Sequence, residues 1–385
     1  MLVALAGAPA FVLRATGMHV PVELATLGYG FGVIGAAFAM SWGAEAAEHD
    51  IPRSLALLTV ALLAVLPEYA VDIIFAWKAG HDPRFAAYAA ANMTGSNRLL
   101  LGLGWPAVAV TAWIVRRESI IRLDRNSAPG LFFLGAATLY SFLLPFKATI
   151  SLIDSAVLGA IFVAYAVTSA RADVVEPDLV GPAAAIGRLA PWRRRAAVLA
   201  LFAYAAAAIF TAAEPFAEGL VATGRTLRVD EFLLVQWLAP LASEAPEFLV
   251  ALLLAFRGKA VAALGLLVAS KVNQWTLLLG SLPVAYSVGA GRLGALPLDA
   301  RQAAEVLLTA AQSLFGLGVL ASLSLSLRES ALLAGLFIAQ LAASGFLRAV
   351  LHRAAAADTE LFAFSALYVM LGVGALGLRW WRRTA

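Results

Sequence analysis

Long apolar runs separated by short polar segments dominate the pattern of this chain. A transmembrane helix needs about 20 predominantly apolar residues, and the runs reach or approach that length. They lie near residues 24–46, 54–77, 85–115, 130–147, 149–170, 196–222, 231–256, 260–288, 302–327, 329–351 and 360–380. The pattern predicts an all-α polytopic membrane protein with about ten core transmembrane helices and one additional C-terminal helix.

The run Met1–Leu13 is apolar but too short to span a bilayer. It lacks the basic start of a signal peptide, so we do not expect cleavage. We predict a peripheral or partly inserted helix for this run.

Residues 171–195 form a long polar stretch between the apolar runs. Its prolines, mixed charges and closing Arg193-Arg194-Arg195 are typical of a linker. We therefore predict two membrane-embedded halves joined by a cytoplasmic linker. The expected boundaries are 1–170 for the N-terminal half, 171–195 for the linker, 196–351 for the C-terminal half and 352–385 for the additional transmembrane helix.

Composition agrees with a membrane protein, since 62% of the residues are hydrophobic and only 14% are charged. Soluble domains are about half apolar and about a quarter charged. The absence of cysteine excludes disulfides, thiolate metal sites and cysteine nucleophiles. A net charge of +4 is small for 385 residues, so we expect membrane lipids and inorganic cations as partners and no nucleic acid.

Basic residues indicate the orientation of the chain. Arg116, Arg117, Arg122 and Arg125 lie in one loop, and the linker follows two spans later. The positive-inside rule places both segments in the cytoplasm. We expect an integral protein of a prokaryotic-type inner or plasma membrane.

A Pro-Glu pair occurs inside apolar sequence in each half, at Pro67-Glu68 and at Pro246-Glu247. A carboxylate in hydrocarbon is costly, so two at matching positions indicate a functional site. Proline frees a backbone carbonyl in the preceding turn, and a membrane tolerates such a group only where protein, water or an ion satisfies it. Glutamate and carbonyl oxygens together suit Ca²⁺, which takes about six to eight oxygen ligands. We predict Glu68 and Glu247 as metal ligands.

Each Pro-Glu pair is followed by a small-Ser-polar step, Gly95-Ser96-Asn97 in the first half and Ala269-Ser270-Lys271 in the second. Span counting puts Glu68 in the second helix and Glu247 in the seventh. Because this offset is odd, the two repeats insert with opposite orientation. Inverted repeats with interrupted helices are the plan of many secondary transporters, with the binding site at the repeat interface.

These residues carry a resemblance to a known family. The segments GAEAAEHDIPRSLALLTVALLAVLPEY with ANMTGSN, and EGLVATGRTLRVDEFLLVQWLAPLASEAPEF with ASKVNQWTLLLG, resemble the alpha-repeats of the sodium/calcium exchanger superfamily. The family pattern is Thr-Ser-x-Pro-Glu followed by Gly-Ser-Asn, once in each half. The resemblance implies inverted five-helix repeats, with alpha-repeats at about 54–115 and 231–288, that exchange cations by alternating access. The ion ligands it implies are Glu68, Glu247, Asn92, Ser96, Asn97, Ser243 and Ser270.

The chain departs from that pattern in both repeats. Ala64-Val65 replaces the first Thr-Ser pair, and Ser243-Glu244 replaces the second. Asp72 lies four residues after Glu68, on the same helix face. Lys271 stands at the asparagine position, where it either carries a proton that couples antiport or neutralises Glu244 or Asp72. Asp72, Glu244 and Lys271 are thus candidates for proton coupling or counter-charge.

The expected function is a secondary active cation antiporter that exchanges Ca²⁺ for Na⁺ or H⁺, with no cofactor, no catalytic residues and no enzymatic activity. One alternative is a membrane-embedded, metal-dependent lipid enzyme. Another is a non-transporting relative that acts as a sensor or scaffold, which the changes at Ala64-Val65 and Lys271 keep open. The sequence leaves the ion pair, the stoichiometry and the oligomeric state open.

Overall fold

A computed structural model describes residues 2–18, 20–47, 50, 66–124, 127–170, 179, 181–228, 230–347 and 354–384. Nearly all of them are helical. The helices are α1 (Leu2–Thr16), α2 (Val22–Ala47), α3 (Leu66–Ala79), α4 (Phe85–Leu99), α5 (Trp105–Arg116), α6 (Ala128–Ser141), α7 (Leu143–Lys147), α8 (Leu152–Ala170), α9 (Gly181–Gly187), α10 (Pro191–Leu227), α11 (Glu231–Phe256), α12 (Ala260–Asn273), α13 (Leu279–Ala290), α14 (Ala300–Leu320), α15 (Leu327–Gly345) and α16 (Ala354–Thr384).

Within the described residues, ten helical stretches are long and apolar enough to cross a membrane. In two of them a π-helical turn joins two α-helices: Leu100–Gly104 joins α4 to α5, and Gln274–Leu278 joins α12 to α13. The predicted span 54–77 ends in α3, and its first part lies outside the described residues. These stretches confirm the polytopic all-α fold that the apolar runs predict.

The end of the predicted linker is helical. Helix α9 lies inside it, and α10 already begins at Pro191, so Arg193-Arg194-Arg195 belong to α10. Proline suits the first turn of a helix because the backbone donor that it lacks has no partner there. The run of arginines at the polar end of a long apolar helix had the appearance of linker sequence.

The N-terminal run forms α1, as predicted. This helix of 15 residues packs against α2 and α10. Ala10 is fully buried, and the ring centroid of Phe11 lies 6.0 Å from that of Tyr204 on α10. Insertion of α1 into the membrane stays a prediction.

Two short antiparallel strand pairs join loops at the helix ends. Strand β1 (Ile120–Arg122) pairs with β4 (Ser324–Ser326), and β2 (Thr149–Ile150) pairs with β3 (Leu296–Pro297). One membrane-crossing stretch, α6 and α7, separates β1 from β2, and α14 separates β3 from β4. The two pairs therefore lie at opposite membrane faces. Since β1 and β3 follow equivalent helices but lie at opposite faces, the two repeats are inverted, as predicted.

Local sequence repeats at the helices that follow β2 and β4. Ser151 donates from its backbone nitrogen and its hydroxyl to Asp154 Oδ2, at 2.6 and 2.8 Å. Ser326 donates in the same way to Glu329 Oε2, at 2.9 and 2.7 Å. Each serine and acid thus caps a helix N-terminus, α8 or α15, and supplies partners for its free backbone donors.

The repeats interlock through close helix crossings. Helix α3 packs on α13, and α11 packs on α4. A Cβ atom on Gly95 would overlap the carbonyl oxygen of Gln236, and one on Gly289 would overlap that of Trp77. Small residues let membrane helices approach backbone to backbone. As a result, each Pro-Glu helix lies directly against the other repeat.

We predict that cysteines placed at Ser119, beside β1, and at Arg292, before β3, react from opposite sides of the membrane. Both positions are exposed, and the chain has no native cysteine. A membrane-impermeant maleimide on sealed vesicles should label one variant before permeabilisation and both afterwards. The positive-inside rule assigns Ser119 to the cytoplasmic face. Labelling of both variants from one side would contradict the inverted arrangement.

Candidate ion-binding site

Four carboxylates and one lysine meet at the interface between the repeats. Glu68 and Asp72 come from α3, and Glu244 and Glu247 come from α11. Glu68, Asp72 and Glu244 are buried, with exposed fractions of 2%, 0% and 1%, and Glu247 is partly buried. Glu68 is within electrostatic reach of Asp72 and of both α11 glutamates. The two Pro-Glu motifs and their acidic neighbours thus form one cluster.

The amide of Gln274 bridges the two repeats at the centre of this cluster. Its Nε2 atom donates to Glu68 Oε2 at 3.2 Å and to Glu244 Oε1 at 2.8 Å. Gln274 is the first residue of the π-helical turn after α12. This donor bridges two carboxyl groups of different repeats, which an apolar side chain could not do.

The hydroxyl groups predicted as ligands fall into two groups. Ser270 donates to Glu247 Oε2 at 2.5 Å, whereas buried Ser96 lies near Glu68 and Glu244 without a hydrogen bond to either of them. Ser243 instead donates to carbonyls of its own helix, at 3.2 Å to Ala239 O and 3.4 Å to Pro240 O. A hydroxyl bound in this way still offers lone pairs, so Ser243 keeps acceptor capacity.

Many oxygens of the cluster are buried without a hydrogen-bond partner among the described residues. They are Glu68 Oε1, both oxygens of Asp72, Asn92 Oδ1, Ser96 Oγ, Glu244 Oε2 and Gln274 Oε1. Buried polar atoms in proteins are nearly always hydrogen-bonded. An oxygen-rich cage of this kind has the donor set that hard cations prefer.

The described residues contain no group of three or more His, Cys, Asp or Glu side chains arranged to hold a metal ion. A cation bound at the cluster would therefore combine carboxylates with amide, hydroxyl or carbonyl oxygens. Asn92, which lies beside Asp72, and Ser96 supply such oxygens. The ligand set predicted from the sequence has this mixed composition.

Lys271 lies within the same interface but contacts neutral groups. Its Nζ atom donates to the carbonyl oxygen of Asn97 at 2.8 Å and lies 3.4 Å from Asn97 Oδ1. The ring centroid of Trp275 is 6.0 Å away. Among the described residues, no carboxylate oxygen forms an ion pair with Nζ within 4.0 Å. Glu244 interacts with Lys271 only electrostatically, over a longer distance. Neither Asp72 nor Glu244 is a direct counter-ion.

The two π-helical turns begin three residues after Asn97 and three residues after Lys271. In the first turn, Trp105 donates to Leu100 O, five residues back rather than four. Such turns frequently occur at functional sites because they displace the backbone ladder by one residue. Their matching positions place the same backbone irregularity at equivalent points of the two repeats.

A second buried polar network lies behind the cluster. Arg98 Nη1 donates to Glu305 Oε2 at 2.5 Å, and the exposed fractions of the two side chains are 2% and 4%. Gln236 Nε2 donates to the same oxygen at 3.0 Å and to Thr94 Oγ1 at 3.3 Å. Arg98 also donates to the side-chain oxygen of Gln340.

This network continues to the C-terminal helix. Gln340 Nε2 donates to Ser344 Oγ at 3.2 Å, and Ser344 donates to Glu360 Oε2 at 2.6 Å. These residues were not predicted from the sequence. An arginine inside the run 85–115 was the available signal, since intramembrane charges are functional candidates by default.

An all-helical membrane protein whose inverted repeats enclose a carboxylate-rich site has the architecture of a secondary transporter. The model of the sodium/calcium exchanger protein family matches residues 24–171 and 197–346. This chain therefore belongs to the sodium/calcium exchanger family. A comparison with curated proteins found no match.

Solved structures give the same family context. The crystal structure of the H⁺/Ca²⁺ exchanger CAX is 43% identical, with a TM-score of 0.91, over 98% of this chain and 93% of that one. Native YfkE is 17% identical, with a TM-score of 0.62, over 88% and 97%. The sodium-calcium exchanger NCX_Mj is 18% identical, with a TM-score of 0.56, over 84% and 99%. The latter two support the fold alone.

We predict that Arg98→Met strongly lowers thermal stability, because it leaves Glu305 buried and unpaired. Breaking a buried pair costs about 3–5 kcal/mol. The double change Arg98→Met with Glu305→Leu should recover part of the loss, as measured by tryptophan fluorescence during thermal unfolding in detergent. Arg84→Met removes a cation whose side chain is 77% exposed and should change little. Equal stability of the Arg98→Met variant and the wild type would contradict a structural role for the pair.

Proposed function

We propose that this protein is a secondary antiporter that exchanges Ca²⁺ for H⁺ across the membrane. The observation that carries the proposal is the buried cluster of oxygens around Glu68 and Glu247, in which Glu68 Oε1, both oxygens of Asp72 and Glu244 Oε2 have no hydrogen-bond partner among the described residues. H⁺ is favoured over Na⁺ because the structure at 43% identity and 98% coverage is an H⁺/Ca²⁺ exchanger. The structures named for sodium–calcium exchange are only 18% identical.

In this mechanism Ca²⁺ is the cargo, and the carboxylates of Glu68 and Glu247 are its principal ligands. The amide of Gln274 orients Glu68, and the hydroxyl of Ser270 orients Glu247. Protons and Ca²⁺ compete for the same oxygens, so binding of one releases the other. Asp72 and Glu244 supply further negative charge around the cargo. No cofactor takes part, and we propose no enzymatic activity.

Alternating access would come from helices α2 and α10, which pack together along the outside of the core. Arg194 donates to Asp50 from Nε at 2.7 Å and from Nη2 at 2.9 Å. These hydrogen bonds hold the pKa of Asp50 well below its usual value. Thr26 and Thr223 share a hydroxyl hydrogen bond of 3.0 Å. These hydrogen bonds support movement of α2 and α10 as one rigid body.

Lys78 links that body to the core. At the end of α3, its ammonium pairs with Glu214 at 2.9 Å and with Glu218, both on α10. Its side chain is 12% exposed, so the pairs are partly shielded from water. We propose that the link stabilises one of the two access states.

We predict that Lys78→Met shifts the equilibrium between access states by about 1 kcal/mol, the upper value for exposed ion pairs. Spin labels at His81→Cys and Thr226→Cys would report the distance between α3 and α10 by pulsed electron paramagnetic resonance. In the variant, a second distance between the two spin labels should become more populated. Arg84→Met is the matched control, since it removes a nearby cation whose ion-pair partner among the described residues is Asp82. An unchanged distribution in Lys78→Met would refute the link.

The main test is Ca²⁺ flux into proteoliposomes under imposed pH gradients and, separately, Na⁺ gradients. Glu68→Gln and Glu247→Gln should each lower flux by more than about 100-fold, because even changes behind the first ligand shell cost about 10- to 100-fold in metal affinity. Glu118→Gln, at an exposed loop acid, should retain flux. Folding is checked by the thermal unfolding profile.

Three results would count against the proposal. Ca²⁺ flux driven only by a Na⁺ gradient would show that Na⁺, and not H⁺, is the coupling ion. Unaltered Ca²⁺ flux in both glutamate variants would show that the carboxylate cluster takes no part in transport. The absence of Ca²⁺ flux in the wild type would favour a non-transporting relative. The lipid-enzyme alternative finds no support in the fold or in the family.

A further inference from the structure

At one pair of equivalent positions the two repeats carry different residues, and these two residues are in contact. Asn97 of α4 and Lys271 of α12 each precede a π-helical turn by three residues. Lys271 Nζ lies 2.8 Å from the carbonyl oxygen of Asn97 and 3.4 Å from its Oδ1. The ammonium of Lys271, in the second repeat, therefore contacts the oxygens of the equivalent residue in the first repeat, Asn97.

The surroundings of this ammonium differ from those of the other intramembrane cations. Arg98 has a carboxylate at 2.5 Å, and Lys78 has two carboxylate partners. Lys271, with an exposed fraction of 1%, has a backbone carbonyl, an amide oxygen and the Trp275 ring instead. No carboxylate of the described residues pairs with it.

Neutral oxygens of this kind are ligands for alkali cations. Backbone carbonyls near interrupted membrane helices coordinate Na⁺ in transporters, and carbonyl oxygens replace the hydration shell of an ion in channels. A tethered ammonium carries the same charge as Na⁺ and occupies the same oxygens. A second cation at that point would meet like-charge repulsion in a medium that screens weakly.

We propose that Lys271 acts as a tethered cation that fills a Na⁺ position beside Asn97 and thereby excludes Na⁺ from coupling. This inference rests on the proposed cation exchange and names the residue that determines its ion specificity. The equivalent residue of the first repeat is an asparagine. Replacing Lys271 with asparagine would therefore remove the ammonium from the proposed Na⁺ position with little change in local shape. Lys271→Asn makes the two repeats alike at this point.

The test compares the wild type with Lys271→Asn in detergent during an Na⁺ titration, with choline keeping the ionic strength constant. A ligand that binds only the folded protein raises its unfolding temperature. Na⁺ should therefore stabilise the variant and leave the wild type unchanged. In proteoliposomes, external Na⁺ should inhibit Ca²⁺ uptake by the variant about tenfold more than uptake by the wild type, within the usual range of coupling between sites.

Two further variants make the result decisive. Lys271→Gln also supplies an amide oxygen and replaces Lys271→Asn if that variant does not fold. Lys259→Asn makes the same substitution at an exposed lysine and should show no Na⁺ response. A Na⁺ response confined to the Lys271 variants supports the proposal. Folded Lys271 variants without a Na⁺ response, or a wild type with the same response, would overturn it.

The unfolding experiment needs no transport. A wild type without Ca²⁺ flux would therefore overturn the proposed exchange and still leave the Na⁺ comparison valid. If Lys271 only fixed helix packing, its variants would lose stability equally with and without Na⁺. That result would also overturn the proposal.

Discussion

The structure depends on accommodating acidic and basic side chains in its buried interior. Four acidic side chains and a lysine lie together between the repeats, and an arginine–glutamate pair lies behind them. Unpaired charges of this kind are strongly unfavourable in a protein core. The Gln274 amide, the Ser270 hydroxyl and the Arg98–Glu305 pair satisfy part of that demand. The oxygens left unsatisfied are the ones that a transported cation would satisfy.

Inverted repeats make the two membrane faces nearly equivalent, which suits a protein that opens to each side alternately. The strand pairs and the helix caps after β2 and β4 preserve this equivalence. The symmetry of the two repeats is nevertheless incomplete. Lys271 opposite Asn97 breaks it at the centre, and the Lys78 link to α10 breaks it at the edge.

Much of the site could be predicted, because membrane burial makes each charged residue conspicuous. Pro67-Glu68, Pro246-Glu247 and the small-Ser-polar steps stand out in apolar sequence and occur once per half. Gln274 was less visible, since a lone amide serves helix packing as often as ion binding. The lysine was visible, but its contact with a neutral carbonyl was not, because an opposite charge is the usual partner for an ammonium.

The sequence by itself determined the all-helical membrane fold with oppositely inserted repeats, and it predicted the bounds of the two halves and the central glutamates. These features follow from local hydrophobicity, from span counting and from the cost of charge in hydrocarbon, all of which act along the chain. Tertiary structure decided which polar groups meet. Arg98 and Glu305 are 207 residues apart, and Lys271 and Asn97 are 174 apart. Such pairs depend on how helices cross and rotate, which backbone contacts between the repeats determine.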